Sequence, residues 1–384
     1  MMAWLEQALG ALLVIAVLLD VFLTVLYARA GTGIISSRLA RLTWEAFRRV
    51  SRTFGPYGGH VLSFCGPAIL VLLVVTWALA LTLGTALIMH PHLGSAIIAQ
   101  GGETPTDFMT AIYAGGISMA IVGSSDFVPQ TAAFRLVYLF NALVGTSVVS
   151  LTLTYVMQVY SALQQRNLLG LKIHLFTAET GDAAELLAHL GPRGQFSAGY
   201  SDLAELSSEI SQIKEAHHFY PVLFYFRFAE PYYSVSRSTL VALDTVTLIR
   251  SALDDGHAAW LKESAAVEQL SRASLMLVTM LEETFLPAAA PGRRASPDGE
   301  VFDPDRWRLR YSSGLERLRH AGIGTVSDGQ SGAETYGALR SRWDRLVTTL
   351  ASAMAYGMDE IDPAGRCPLR TEYGKGGVRR SGVL

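Results

Sequence analysis

Cysteine and charge are both scarce in this sequence. The 384 residues include two cysteines, Cys65 and Cys367, which offer neither a plausible disulfide nor a metal-ligand spacing, so the soluble part is predicted to lie in a reducing compartment. Charged residues make up 17% of the chain, whereas hydrophobic residues make up 50%. This balance indicates a membrane protein with a soluble part, and the net charge of -2 gives no indication of nucleic acid as a partner.

Several common functional motifs are also missing. No strand leads into a G-x-G-x-x-G loop, and the glycines at 322–324 are typical of a flexible connection between two helices. The sequence contains no EF-hand loop, no cyclic-nucleotide-binding pattern and no arginine repeat of a voltage sensor. No nucleophile is accompanied by a base, so we predict neither enzymatic activity nor a bound cofactor.

Three apolar runs are long enough to cross a bilayer: 4–27, 61–89 and the run that begins after Pro129. The loop between the first two carries six arginines against Glu45 alone. Short basic loops stay in the cytoplasm, which predicts an external N-terminus and a cytoplasmic C-terminus. Apolar residues recur at helical spacing in this loop, so part of it is predicted to be an amphipathic helix, either on the membrane surface or as a solvated connector.

Polar residues in and near these runs allow more than one interpretation. Asp20 interrupts the first run, and it is either a functional acid at membrane depth or a side chain near the cytoplasmic end that reaches the interface. His90 and His92 are either metal-binding or pH-sensing residues or ordinary loop residues. The pair His217 and His218 is interpreted as the surface end of a helix rather than as a metal site.

The stretch at 106–158 organises the rest of the chain. A helix that starts near Thr106 is too short to span a bilayer, and a segment with Gly123 and Asp126 follows it before Pro129 and a spanning helix. Non-helical backbone at membrane depth is tolerated only where it is buried in protein or lines a watery cavity. This order of elements predicts a re-entrant pore loop.

The same stretch resembles the pore unit of the tetrameric potassium channels, whose filter reads TVGYG followed by an acid, a hydrophobic pair and a proline. The matching positions are Val122, Gly123, Asp126, Val128 and Pro129. The resemblance covers residues 61–164 and implies a pore domain of the prokaryotic type, made of an outer helix, a pore loop and an inner helix. The expected fold is an all-α membrane protein with one extra N-terminal transmembrane helix and a helical cytoplasmic domain.

The resemblance also implies roles for individual residues. Gly145 falls where these channels carry the gating hinge of the inner helix, and Thr146, Val149 and Leu153 would line the cavity on the face set from Gly145. It implies a homotetramer in a lipid bilayer, K⁺ or Na⁺ as the permeant ion, and no metal cofactor. The predicted selectivity filter consists of Ile121, Val122, Gly123, Ser124, Ser125 and Asp126.

The predicted filter differs from TVGYG at three positions. Ile121 replaces the threonine whose hydroxyl completes the innermost ring of ligands, and Ser124 replaces the tyrosine that braces the filter. Ser125 replaces a glycine, and a left-handed backbone there costs about 1–2 kcal/mol for a residue with a Cβ. We therefore expect a passive cation channel with weak discrimination between K⁺ and Na⁺. The alternative is a non-conducting membrane sensor or scaffold with a degenerate pore fold, because hydrophobic constrictions close pores by dewetting.

More than half of the chain follows the pore and is predicted to be a helical domain that couples an unidentified ligand or partner to the gate. The aromatic block at 218–228 is expected to form its core or a subunit contact. Candidate helices cover 182–190, 201–217, 231–255, 258–285, 306–320 and 333–356. The predicted organisation is an N-terminal transmembrane helix with a basic cytoplasmic loop (1–59), a pore domain (60–165), a helical cytoplasmic domain (166–287), a linker (288–305), a C-terminal helical hairpin (306–360) and a disordered tail (361–384).

Overall fold

The computed structural model describes residues 2–27, 33–120, 126–286 and 304–363. Two three-residue strands, β1 (Ile97–Ala99) and β2 (Phe127–Pro129), pair in antiparallel register in an otherwise helical chain, which confirms the all-α class. The helices are α1 (Met2–Val21), α2 (Ile34–Thr53), α3 (Gly58–Ser63), α4 (Cys65–Met89), α5 (Phe108–Met119), α6 (Ala132–Phe176), α7 (Ala183–Leu190), α8 (Ser197–Phe219), α9 (Val235–Ala252), α10 (Asp255–Lys262), α11 (Ala265–Phe285), α12 (Pro304–His320), α13 (Gly329–Arg340), α14 (Asp344–Ala353) and α15 (Met358–Ile361).

Three segments are long and apolar enough to cross a membrane: Ala3–Leu26, Gly58–His92 and Ala132–Phe176. The first consists of α1 and a π-helical turn, and it packs along α4. Two glycines make this crossing close, because a Cβ on Gly10 would lie 2.5 Å from the carbonyl oxygen of Gly84. The predicted membrane helices are therefore all present, and the first two form a packed pair.

Asp20 is a buried acceptor that joins three helices. It is 2% exposed, and its carboxylate accepts a hydrogen bond from the indole N–H of Trp77 on α4 at 2.9 Å. The backbone N–H groups of Ile35 and Ser36 donate to the same carboxylate at 2.8 and 3.3 Å, so Asp20 also caps the start of α2. The interpretation in which Asp20 reaches water at the membrane interface is therefore wrong. Its carboxylate oxygens are satisfied by hydrogen bonds within the protein.

The inner helix α6 continues beyond the predicted end of the pore domain at residue 165, because it runs without a break to Phe176. Arg166 is buried in this continuation and donates to the carbonyl oxygens of Leu223 and Phe226, both at 2.8 Å. The membrane part and the helical domain therefore share one helix, and the shared end is embedded in the helical domain.

The helical domain (residues 177–286 and 304–363) packs around α9. Every residue of α9 except Arg250 is buried, and α7, α11, α13 and α14 lie against it. Its hydroxyl side chains tolerate this burial because they bond to backbone carbonyls one turn earlier, as Thr245 does with Val241 and Thr247 does with Leu243, both at 2.7 Å.

A buried ionic cluster joins α9 to the C-terminal helices. Asp244 accepts hydrogen bonds from Arg310 at 2.7 Å, from Arg340 at 3.0 Å and from the hydroxyl of Tyr336 at 2.6 Å. Both arginines also contact the carboxylate of Asp362, which is 1% exposed. The prediction of disorder from residue 361 onward is therefore wrong for its first residues, and the rest of that tail, from 364, lies outside the described residues.

Several predicted boundaries differ from the observed ones. The helix predicted at 258–285 is two helices, because the hydroxyl of Ser264 caps a new start by accepting the N–H of Val267 at 3.4 Å. The helix predicted at 333–356 is also two helices, so the C-terminal region is four helices (α12–α15) and not a hairpin. Residues 288–303 of the predicted linker lie outside the described residues. Its last two residues, 304 and 305, belong to the start of α12.

The aromatic segment, residues 220–228, belongs to the core of the described chain. Tyr225 packs against Trp44 of α2 with ring centroids 5.9 Å apart. The ring of Phe226 lies against the backbone of Gly66, where a Cβ would come within 2.5 Å of it. The segment therefore joins the helical domain to α2 and to the first turn of α4.

Candidate pore

The pore helix α5 begins at a well-formed cap. The carboxylate of Asp107 accepts the backbone N–H of Thr110 at 3.1 Å and its hydroxyl at 2.5 Å. These bonds favour the charged form and hold the pKa of the Asp107 carboxyl below its usual range. The helix thus starts close to Thr106, where the sequence predicted it, and its first turn has a defined position.

Close packing against α4 holds the middle of α5. A Cβ on Gly115 would lie 3.0 Å from the backbone nitrogen of Ala86 and 3.3 Å from the carbonyl oxygen of Thr82. Any larger residue at position 115 would therefore separate the two helices.

The last turn of α5 is attached to the inner helix α6. The backbone of Gly145 approaches Met119 so closely that a Cβ would lie 2.1 Å from its carbonyl oxygen. Asn141 of α6 donates to the hydroxyl of Ser118 at 3.0 Å. This contact gives Gly145 a packing role within a continuous α6, and its role as a gating hinge stays a prediction.

Asp126, the last residue of the predicted filter, is exposed. Its carboxylate accepts a hydrogen bond from the hydroxyl of Tyr113 on α5 at 3.1 Å, and its backbone carbonyl accepts the N–H of Gln100 at 2.8 Å. Sequence reasoning did not identify Tyr113, because a tyrosine 13 residues before an acid forms no recognisable motif. The acid predicted at the pore mouth is thus held by α5 and by the backbone directly after β1.

The other five predicted filter residues lie outside the described residues: Ile121, Val122, Gly123, Ser124 and Ser125. The described chain stops at Ala120, one residue after α5 ends, and resumes at Asp126. Because the C-terminal end of a helix carries partial negative charge, the end of α5 next to this segment favours a cation.

One side of α6 is uncovered in the single chain. Of its apolar stretch, 11% is buried, compared with 28% and 39% for the two other membrane segments. The predicted cavity residues lie on the uncovered side: Thr146 is exposed, Val149 is 55% exposed and Leu153 is 65% exposed. Ser150 and Thr154 are also exposed there, so hydroxyl groups accompany the apolar residues.

The histidines noted in the sequence have ordinary protein partners. His90 bonds to the carboxylate of Glu6 at 2.7 Å, and His92 lies 2.5 Å from the side-chain amide of Gln7, so both connect α1 to the end of α4. His217 is fully buried and donates to the carbonyl of Ile213 at 2.9 Å, so its assignment to a surface helix end is wrong. Desolvation and, after it, the charge of Arg166 lower the pKa of His217 to about 3. Across the described ranges, no group of three or more His, Cys, Asp or Glu side chains could hold a metal ion.

Residues 70–162 match the family model described as "Ion channel", and this range contains most of α4, all of α5 and most of α6. The chain is thus an all-α membrane protein that contains a domain similar to ion channels. It is also similar to a curated relative, "Uncharacterized membrane protein YdjJ" of Bacillus subtilis (strain 168). The two are 25% identical over 250 residues, which cover 65% of this chain and 70% of that protein. The comparison with solved structures found no match.

Proposed function

We propose that this chain is one subunit of a potassium-channel-like cation channel that moves K⁺, and Na⁺ with it, passively across the membrane. The observation that carries the proposal is the arrangement around Asp126. A pore helix attached to both neighbouring helices ends at Met119, and an exposed acid bonded to that helix follows after a short segment. The match of residues 70–162 to ion channels supports the same function.

The proposed assembly is a homotetramer around a central pore. Each chain supplies one re-entrant segment, and rings of carbonyl ligands require several copies on an axis. The uncovered side of α6, with Thr146, Val149 and Leu153, supports this arrangement, because an assembly gives that side neighbouring subunits and a cavity to face. The number four comes from the resemblance to potassium channels.

We propose that α2 and the helical domain lie in the cytoplasm. The arginines of α2 favour that side of the membrane. Arg48 of α2 donates to the carbonyl of Ser352 at 3.1 Å, so the helical domain lies on the same side as α2. The contact of Glu6 with His90 connects the beginning of α1 to the end of α4 that lies away from α2. This contact supports an external N-terminus.

The helical domain is proposed to gate the pore through α6. This helix carries Gly145 in the pore region and Arg166 in the helical domain without interruption. A ligand or partner that moves the aromatic segment would pull on Arg166 through its bonds to Leu223 and Phe226. The contacts of α6 therefore provide a direct mechanical route from the domain to the pore.

The test is cation flux into liposomes that contain the purified full-length protein. We expect passive K⁺ flux, and Asp126→Asn should reduce it severalfold at low ionic strength but little at high salt, where screening weakens attraction by a surface charge. Glu103→Gln is the matched control, since Glu103 is an exposed acid in the preceding loop. An intact tetramer without flux under any condition would favour the non-conducting sensor or scaffold instead.

A further inference from the structure

A pocket lies where the membrane helices meet the helical domain. Its walls come from the π-helical turn after α1, from α2, α4 and α6, from the aromatic segment and from the end of α11. Its enclosed interior measures about 60 Å³, and the rest of the pocket is open to the surroundings. An interior of this size has room for a few water molecules or one small polar group, so a longer ligand would continue through the open side.

The lining of the pocket has a polar side and an apolar side. Ser37 and Arg41 stand one helical turn apart on α2, so their side chains share a face of that helix. Ile69 and Leu73 of α4 belong to the apolar part of the lining, and both are almost fully buried. Such a lining fits an amphiphilic molecule with a polar head and a hydrocarbon chain.

The charge of the polar side selects a negative head group. Arg41 lies near the hydroxyl of Tyr225, which also lines the pocket, and its guanidinium carries five N–H donors that suit a phosphate. The helix α2 contains five arginines and one acid. The exposed apolar side chains of Leu42 and Val50 lie between these arginines along the helix. A helix of this composition lies at the surface of an anionic membrane.

We propose that this pocket binds one anionic phospholipid from the adjoining leaflet. Its phosphate would lie against Arg41 and Ser37, and its acyl chains would extend through the open side of the pocket into the bilayer. Tyr155 of the inner helix also lines the pocket, so the bound lipid would contact the proposed gate directly. The proposal does not depend on whether the pore conducts.

The experiment is native mass spectrometry of the purified full-length protein, titrated with dioleoylphosphatidylglycerol or with dioleoylphosphatidylcholine, which has the same acyl chains. A third titration uses sn-glycerol 3-phosphate as a soluble phosphate without chains. We expect tight binding of phosphatidylglycerol, weaker binding of phosphatidylcholine and no retention of glycerol phosphate. Arg41→Gln should weaken phosphatidylglycerol binding about fivefold or more, as expected for the loss of one arginine at an anionic surface.

Arg52→Gln is the matched control, since it removes the same charge from the same helix outside the pocket. Equal losses in Arg41→Gln and Arg52→Gln would mean diffuse attraction and would overturn the proposal. Equal affinity for the two lipids would also overturn the proposal. Tight binding of glycerol phosphate would overturn it as well, because it would indicate a site for soluble anions. If Arg41→Gln does not assemble, Ser37→Phe fills the pocket without a change of charge, and tight phosphatidylglycerol binding by that variant would contradict the proposal.

Discussion

The hydroxyl of Tyr113 donates a hydrogen bond to the carboxylate of Asp126 across 3.1 Å. The ring of Tyr113 also packs edge-on against Phe127, with centroids 6.1 Å apart. The helix α5 therefore supports the last residue of the predicted filter and the residue that follows it. This contact is a brace between α5 and the predicted pore mouth, and Ser124 stands where the resemblance places the bracing tyrosine of TVGYG filters.

Removal of the hydrogen bond between Tyr113 and Asp126 should reduce cation flux with little loss of stability. Tyr113→Phe keeps the ring contact with Phe127 but deletes one charge-assisted hydrogen bond at an exposed site, which we expect to cost about 1 kcal/mol or less in unfolding free energy. Cation flux should fall severalfold, because Asp126 is no longer held at the mouth. Tyr57→Phe, at an exposed tyrosine, is the control. Equal flux from Tyr113→Phe and the native protein would show that the bond has no part in conduction.

Gly145 should not tolerate even alanine. The added Cβ would lie 2.1 Å from the carbonyl of Met119, and overpacking of this kind typically costs about 1–3 kcal/mol. We expect a lower melting temperature of the assembled protein in detergent. Gly337→Ala serves as the opposite control, because its Cβ meets its nearest neighbour at 3.7 Å inside α13, and alanine there should stabilise by about 0.5–1 kcal/mol. Unchanged melting of Gly145→Ala would mean that α5 and α6 separate easily at this point.

The ionic cluster should make the helical domain sensitive to acid. Burial opposes ionisation of Asp362, but the positive charges of Arg310 and Arg340 outweigh it and hold the pKa of the Asp362 carboxyl below its usual value. A carboxyl with a lowered folded-state pKa contributes stability above its unfolded pKa, about 3.9, and loses that contribution as the pH falls through the folded pKa.

Thermal unfolding of the native protein should therefore become steadily easier as the pH is lowered below about 4. Asp362→Asn should be less stable at neutral pH, by up to about 3–5 kcal/mol, because both arginines lose a buried partner. It should also show a smaller loss on acidification. Glu334→Gln, an exposed acid on α13, should follow the native profile. Identical acid profiles for Asp362→Asn and the native protein would exclude this carboxyl as the titrating group.

Selectivity should depend on the three divergent filter positions. We expect the native protein to discriminate weakly between K⁺ and Na⁺, because Ile121 removes a ring of hydroxyl ligands and Ser125 resists the left-handed backbone that glycine takes freely. The triple variant Ile121→Thr, Ser124→Tyr, Ser125→Gly should move the reversal potential in mixed solutions toward the K⁺ equilibrium potential. A native protein that is already strongly K⁺-selective would contradict this reasoning.

The sequence by itself determined the membrane helices and the order of the pore elements. A bilayer requires about 20 consecutive apolar residues per helix, and the apolar runs at 4–27 and 61–89 show that requirement directly. The starts of α5 and α7 were also predicted closely, since each depends on neighbours within a few residues. The breaks at Ser264 and at 341–343 were missed, because apolar residues continue at helical spacing on both sides of each break.

Only the tertiary structure decided which polar groups satisfy one another. Asp20 meets Trp77 from another membrane helix, Tyr113 meets Asp126 at the end of the predicted filter, and Asp244 meets arginines from two later helices. None of these pairs has a characteristic spacing, since the packing of whole helices brings them together. Apolar periodicity specifies which face of a helix is buried but not which neighbour covers it, and a buried polar group is stable only beside the partner that the packing supplies.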